Sequence, residues 1–399
     1  MNNHRLLTGL LVVSLWSGGV CAVAANRLVV TMEELFRIAE TNSAQLRPSF
    51  TAEEVARQEI SVARSKYLPD IEANLSFSYI GDGFTTKRNL ADCQKAEIPH
   101  FGNNLGISVS QPVYTGGALT AGVELARQKA TAANYSTELQ RDNIRLTLAG
   151  FYLDIYKYSN LRDVVQSNIA QAKKVLAEMK ARYKQGMALQ NDITRYELLV
   201  SNLERQFVKI NNTLTILNRN LVVTAGMPEE TEIVPDTTIL ERALPNAGEE
   251  WWREAAKNEA PSLKLARTGV DISRTAESLV RSERLPKIGL KAAWSMDGPI
   301  LVEIPPIDRN LSYWYVGVGI SYNLSSLYKS NKSLSKSRVA IQEAVERLEA
   351  ANENVDLEVN AGYVRYMEAY DELKTKAKVL NWLNETTTSC RHAIQRGWR

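Results

Sequence analysis

Two stretches of the sequence share one pattern: RSKYLPDIEANLSFSY at residues 64–79 and RSERLPKIGLKAAW at residues 281–294. At a constant offset of 217 residues, Arg64 aligns with Arg281, Ile71 aligns with Ile288, and the two Leu-Pro dipeptides coincide. Further matches follow in the same order: LGISVS (105–110) with VGVGIS (316–321), and AGF (149–151) with AGY (361–363). Chance similarity does not keep a common order over such a distance, so the chain is predicted to be a tandem repeat.

Each copy has the same predicted layout: a helix, two segments that alternate apolar and polar residues, and a very long helix. The first copy adds a turn and a return helix. We therefore predict four segments: a signal peptide at 1–25, a first repeat at 26–226, a connector at 227–250 that is acidic and contains proline, and a second repeat at 251–399.

The N-terminus has the features of an export signal. Arg5 supplies the positive charge, Leu6 to Trp16 is a short apolar run, and Ala22-Val23-Ala24 is a small-x-small cleavage site. The run is too short to span a bilayer, which takes about 20 residues. Cys21 suggests lipidation, but the bulky Val20 before it argues against that modification.

Composition excludes several classes of protein. After the signal no window is apolar enough for a transmembrane helix, and the mean hydropathy is −0.26. A membrane protein of this kind must use a closed β-barrel, because only helices and barrels satisfy every backbone group in lipid. The net charge of +3 argues neither for nor against a nucleic-acid partner, but the sequence has no basic and aromatic platform that would bind one. Cys93 and Cys390 fall in distant segments, so we expect no disulfide between them.

The alternating segments suit either a soluble sandwich or a membrane barrel. Ile71, Ala73, Leu75, Phe77 and Tyr79 alternate with polar residues, and the partner segments repeat the pattern. Three features favour the barrel: a strand length close to 9–11 residues, small or polar residues on the opposite face, and clustered aromatic residues at the strand ends. These aromatic residues are Tyr67, Tyr79, Trp294, Trp314 and Tyr322.

Four strands cannot close a barrel. Two chains would give eight strands, a size at which side chains fill the interior, and three chains would give twelve strands around an open lumen. A trimer is therefore the simplest closure if the protein is a duct.

The helical segments are long and periodic. Ala118 to Gln185 contains no proline, and as a helix it would be roughly 100 Å long. The return helix, Ile193 to Leu221, has apolar residues in unbroken steps of three and four, which predicts coiled-coil packing. Gly186 is expected to make the turn, and Asn191 or Asp192 to cap the returning helix. A second rod is predicted from about Ser333 to Asn384. A plain antiparallel coiled-coil hairpin is the simpler alternative.

Several landmarks in this frame resemble those of outer membrane efflux proteins, the TolC-like family. They are Tyr67-Leu68-Pro69, the stretch from Ser110 to Gly117, the stretch from Arg182 through Asp192, and Asn220 to Pro228. The resemblance runs from about Thr31 to at least Tyr370.

The resemblance implies an α+β membrane protein. A long antiparallel α-helical coiled-coil barrel would cross the periplasm, and four β-strands per chain would contribute to a 12-stranded trimeric transmembrane β-barrel in the outer membrane of a Gram-negative bacterium. Such ducts are passive, and they work with a periplasmic adaptor protein and an inner-membrane pump or exporter. The implied adaptor contact is the turn at Gly186, Met187, Ala188 and Asp192.

The C-terminus departs from this pattern. The residue that corresponds to Gly186 in the second copy is Trp398, so a second return helix is absent from this sequence. The stretch from Thr386 to Arg399 also loses the apolar stripe. We therefore expect a truncated or frameshifted product that assembles poorly or forms a leaky duct.

Other classes fit the sequence less well. A periplasmic adaptor would need a single hairpin beside a split β domain, and a trimeric adhesin would carry only one terminal barrel. For an enzyme the sequence offers no nucleophile elbow and no phosphate-binding loop. His392 and Cys390 lack a second pair of zinc ligands. We predict no catalytic residues, no cofactor and no metal.

Overall fold

The structure is a computed structural model that describes residues 26–236, 238, 247–303 and 306–397. The predicted signal peptide with Cys21, part of the connector, and Trp398 lie outside the described residues. The helices are α1 (Met32–Asn42), α2 (Arg47–Ser65), α3 (Ala118–Lys184), α4 (Gln190–Ala225), α5 (Glu249–Glu259), α6 (Pro261–Ser282) and α7 (Ser326–Gly397). The strands are β1 (Asn26–Val30), β2 (Asp70–Tyr79), β3 (Gly83–Thr85), β4 (Gln94–Ala96), β5 (Phe101–Tyr114), β6 (Thr231–Pro235), β7 (Lys287–Gly298) and β8 (Leu311–Ser321). Among the described helices, none is both long enough and apolar enough to cross a membrane.

The main elements follow the predicted layout. The four alternating segments are strands β2, β5, β7 and β8, and the first rod, α3, ends one residue before its predicted end. The second rod was predicted too short at both ends, because α7 begins at Ser326 and continues to Gly397. No proline interrupts that stretch, so loss of the apolar stripe did not end the helix.

The strands of the two copies form one sheet. Its order is β2-β5-β7-β8, and every neighbouring pair is antiparallel. The first copy contributes β2 and β5, the second contributes β7 and β8, and the copies meet at the β5–β7 pair. The element order α2-β2-β5-α3 recurs as α6-β7-β8-α7, with the small β3–β4 hairpin inserted in the first loop.

Four short strands were not predicted from the sequence: β3 and β4, which form a hairpin in the first loop, and the pair β1 and β6. β1 pairs in parallel with β6, from Asn26↔Thr231 to Val30↔Pro235, so part of the predicted connector is strand. Each strand of this pair has five residues, which is too few for a clear period of two. Their pairing joins segments about 200 residues apart, a relation that local pattern does not reveal.

The described residues divide into two compact units. The first consists of the residues before 45 and those between 144 and 243, and its core includes Leu35, Leu148 and Leu221. Tyr152 is 1% exposed; its hydroxyl donates to the backbone carbonyls of Val30 and Asp236 and accepts from the Asp236 amide at 2.7 Å. Burial is the main cause that raises the pKa of the Tyr152 phenol above its ordinary value. This phenol therefore anchors the ends of both short strands in its neutral form.

The second unit contains the four-stranded sheet and the helices α2, α5, α6 and α7, with the first part of α3. Its buried residues include Leu46, Leu263 and Val270. Thr137 of α3 is also buried, and its hydroxyl donates to the carbonyl of Ser49 at 3.2 Å. A side-chain hydrogen bond thereby joins α3 to the backbone at the start of α2.

Of the four described glycines with positive φ, Gly226 and Gly186 differ in what surrounds them. Gly226 ends α4 with φ +71°, and a Cβ there would lie 2.4 Å from the carbonyl oxygen of Asn42. Gly186 has φ +75°, and a Cβ there would meet nothing within 4 Å. Alanine at Gly186 therefore costs backbone strain alone, whereas alanine at Gly226 also costs a clash with backbone.

We predict that Gly226→Ala destabilises the first unit by roughly 3 kcal/mol and that Gly186→Ala costs about 1 kcal/mol. Thermal unfolding followed by circular dichroism would compare the two variants with the parent protein. Equal losses for the two variants would contradict the role given to the Asn42 contact.

Candidate functional site

The four-stranded sheet has one apolar face. Directly paired residues of neighbouring strands lie on the same face, so the register defines rows across the sheet. One row joins Ala73, Ile107, Trp294 and Trp314, and the next joins Ile71, Val109, Ala292 and Val316. Both rows are apolar across all four strands.

This apolar face is uncovered. Leu75 is 62% exposed, Val316 69% and Trp314 73%, and every residue of β2 is exposed. A soluble sandwich would bury such a face against a second sheet, but no element covers it among the residues that the structure describes. A two-sheet sandwich is therefore not seen in the described part of the chain.

The opposite face is mostly polar. The Asn74 amide donates to Asn104, the Asn104 amide donates to the carboxylate of Asp297, and the Ser295 hydroxyl donates to the same carboxylate. Glycines and serines fill most other positions. Strand β8 departs from the prediction of small or polar residues, because Tyr313 and Tyr315 lie on this face.

The sheet has two open edges. β2 pairs only with β5, and β8 pairs only with β7, within the described part of the chain. Each outer edge presents a row of backbone donors and acceptors without a strand partner. Two uncovered edges and an apolar face make the sheet an incomplete structure in a single chain.

The predicted aromatic positions are only partly at strand ends. Tyr79 is the last residue of β2, and Tyr67 and Tyr322 lie just outside the strands. Trp294 and Trp314 are paired within β7 and β8, four residues from the end of β7 and three from the start of β8. The distance of these two tryptophans from the strand ends depends on where the strands begin and end, which the sequence pattern did not determine.

The second feature is the hairpin of α3 and α4. Lys173 pairs with Glu204 and Lys180 with Glu197, each at 2.7 Å between nitrogen and oxygen. The two ion pairs are seven residues apart on both helices, which is one heptad of an antiparallel coiled coil. Apolar residues lie buried along the same hairpin: Val165, Ala172, Ile193 and Val200. The predicted coiled-coil hairpin is confirmed in this unit.

The turn at the hairpin tip is fixed by backbone hydrogen bonds. The Gly186 amide donates to the carbonyl of Tyr183 at 2.9 Å, and the Met187 amide donates to the carbonyl of Arg182 at 2.9 Å. This pair of bonds with a left-handed glycine is a Schellman motif, which satisfies the last carbonyls of α3. The turn therefore has one defined backbone conformation.

The predicted cap of α4 was placed wrongly. The N-cap is Leu189, not Asn191 or Asp192, and the Asp192 carboxylate accepts a hydrogen bond from the Leu189 amide at 3.0 Å. Asp192 lies in the first turn, where a carboxylate also favours the positive end of the helix. Met187 is 68% exposed and Leu189 is 70% exposed, while Ala188 is half-buried. The tip thus presents two apolar side chains to solvent.

Comparison with known proteins places this fold in a class of channels. The family model described as "Outer membrane efflux protein" matches residues 35–226. "Outer membrane protein TolC" of Vibrio cholerae is 22% identical over 264 residues, which is 66% of this chain and 58% of TolC. The "Pyoverdine export outer membrane protein OpmQ" of Pseudomonas putida is 24% identical over 206 residues, which is 49% of this chain and 42% of OpmQ. This chain spans less than two thirds of the length of these relatives.

Solved structures agree on the fold. A structure of CusC, from a study of "transmembrane channel formation", superposes with a TM-score of 0.72 at 16% identity, covering 92% of this chain and 82% of that one. The outer membrane protein VceC of Vibrio cholerae has a TM-score of 0.63 at 14% identity, covering 81% and 75%. These solved structures share the arrangement of long helices joined to a sheet that is seen in this chain. In sequence and in fold the chain is similar to outer membrane efflux proteins, and the resemblance predicted from its sequence is confirmed.

We predict that the Lys180–Glu197 pair stabilises the register of the hairpin. Lys180→Glu places two carboxylates together and should cost about 0.5–1 kcal/mol, whereas Lys180→Glu with Glu197→Lys should restore most of the loss. Hydrogen exchange of the α3 and α4 amides near the tip measures the effect locally. Failure of the double exchange to restore protection would contradict the pairing.

Proposed function

We propose that the chain is the outer-membrane channel subunit of a tripartite efflux or type I secretion system. Three copies form a passive duct across the outer membrane and the periplasm. The observation that carries the proposal is the uncovered apolar face of a four-stranded sheet that has two open edges. In lipid such a face is stable, and the open edges require other strands.

Closure of the sheet explains the number of copies. Because each copy contributes an even number of antiparallel strands, β8 of one copy meets β2 of the next in antiparallel orientation. Two copies would close eight strands around an interior filled by side chains, and three copies close twelve strands around a lumen. The polar face with Asn74, Asn104 and Asp297 then lines a wet lumen.

The rods supply the periplasmic part of the duct. α3 has 67 residues, so it is about 100 Å long, and α7 has 72. The proposed domain organisation is a signal peptide at 1–25, a first repeat at 26–226, a connector at 227–250 and a second repeat at 251–399, with two strands and one rod from each repeat. Export by the signal peptide delivers the chain to the envelope.

The hairpin tip is the proposed contact for a periplasmic adaptor. Gly186 fixes the turn, Asp192 holds the first turn of α4 through the Leu189 amide, and Met187 with Ala188 supplies the contact surface. An inner-membrane pump or exporter provides energy through that adaptor. The chain itself performs no chemical step.

The barrel proposal is tested by placing arginine on each face of β2. Leu75→Arg puts a charge on the apolar face, where it should cost about 2–4 kcal/mol in the bilayer, and Ser76→Arg puts the same charge on the polar face. We expect Leu75→Arg to remove heat-modifiable oligomers from the outer-membrane fraction and Ser76→Arg to retain them. Chemical crosslinking should give trimers as the largest species.

The parent protein supplies the control for that experiment. Equal behaviour of the two arginine variants, or a soluble monomeric parent, would refute the lipid-facing sheet. Drug export should also be measured in a Gram-negative strain that lacks its own efflux channels, with the parent and both variants expressed at equal levels.

Adaptor contact is tested separately with Met187→Asp. The added carboxylate should abolish capture of the adaptor and export while oligomers persist, because the turn backbone does not depend on this side chain. Asn202→Asp adds the same charge to an exposed position of α4 far from the tip and serves as the matched control. Normal capture by Met187→Asp would exclude the tip as the contact.

A further inference from the structure

A groove in the second unit has the composition of a ligand site and plays no part in the proposed duct. Its volume is about 690 Å³, within the range of small-molecule sites. It lies between α5 and α7, and we call it the α5–α7 groove. Its aromatic side chains are Trp252, Tyr363 and Tyr366, and its carboxylates are Asp142 and Glu259.

Small residues create the space in the groove. Ala255, Ala256, Ala260 and Gly362 form parts of the lining where larger side chains would fill it. Pro261 begins α6 immediately after α5 ends, so the chain changes direction at the end of the groove. The cavity is therefore built by the sequence of both helices and the bend between α5 and α6.

The walls are held in place by polar contacts outside the groove. The Asn360 amide donates to Glu249 at 3.1 Å, and Arg253 lies 3.8 Å from the carboxylate of Asp356, so two contacts join α5 to α7. The ring of Trp252 packs edge-on against Trp251 with 4.7 Å between centroids. Tyr363 and Tyr366 are three residues apart on α7, which places their rings on one helix face.

The charged residues of the lining favour a positively charged ligand over a negatively charged one. The described lining contains two carboxylates and no Lys, Arg or His. Lys264, outside the lining, pairs with Glu259 at 2.9 Å and neutralises part of that charge. Aromatic faces attract cations and provide apolar area for a large hydrophobic body. An anion of the same shape would meet two carboxylates and the negative faces of the rings, and no basic side chain of the lining.

We propose that the α5–α7 groove binds organic cations that have a bulky apolar or aromatic body. The rings of Trp252, Tyr363 and Tyr366 contact the body, and the carboxylate of Glu259 attracts the charge. This site belongs to a single copy of the chain and does not depend on closure of the sheet or on the tip.

Tetraphenylphosphonium and tetraphenylborate test the proposal, because they share a shape and differ in the sign of their charge. Isothermal titration of the detergent-solubilised full chain, with a detergent-only blank, should give saturable binding of the phosphonium and at least tenfold weaker binding of the borate. Tyr363→Ala should weaken phosphonium binding about tenfold, Tyr363→Phe should preserve it, and Glu259→Gln should weaken it about threefold. Tyr370→Ala removes an exposed tyrosine of the same helix outside the lining and should have no effect.

Three results would overturn the proposal. Equal affinity for the phosphonium and the borate would show that the groove does not distinguish cations from anions. Equal effects of Tyr363→Ala and Tyr370→Ala would place any binding elsewhere. Binding that appears only after oligomers dissociate would identify the groove as a contact between copies of the chain. Circular dichroism of each variant confirms that folding is retained.

Discussion

The apolar face of the β2-β5-β7-β8 sheet must be covered by something other than the described part of its own chain, and the backbone groups at its outer edges must find partners. Rows such as Ala73, Ile107, Trp294 and Trp314 run across all four strands, so the uncovered surface is continuous. Exposure of such a surface to water is unfavourable. In lipid, each backbone group without a hydrogen-bond partner costs free energy. In the proposed duct, lipid on one face and neighbouring strands at both edges satisfy these requirements together.

The polar face makes the two sides of the sheet chemically different. A hydrogen-bonded network lies on this face and joins the side chains of Asn74, Asn104, Ser295 and Asp297. These polar side chains therefore have partners within the sheet. A one-residue shift of register would exchange the two faces and move this network to the side that now carries the apolar residues. The alternation of apolar and polar residues separates the two faces only in the observed strand register.

The helices combine local and long-range order in a similar way. The hairpin of α3 and α4 is held by buried apolar residues and by ion pairs one heptad apart, and the turn at Gly186 needs only hydrogen bonds within a few residues. In contrast, Gly226 is required because Asn42 lies against it, and Tyr152 binds the ends of two strands that are distant in sequence. The tip is a local structure, whereas the other end of α4 depends on the fold around it.

The sequence by itself determined the repeat, the four strands, the rods and the turn, because each follows from a period or a residue preference within a short window. It also predicted the resemblance to outer membrane efflux proteins, because the landmarks of that family occur in the same order in this chain. Only the tertiary structure decided that the strands of the two copies join at β5–β7, that β1 pairs with β6, that Leu189 is the N-cap of α4, and that α5 and α7 enclose an aromatic groove. These features depend on contacts between segments far apart in the chain or on backbone geometry at single residues, and a pattern of residue types does not specify either.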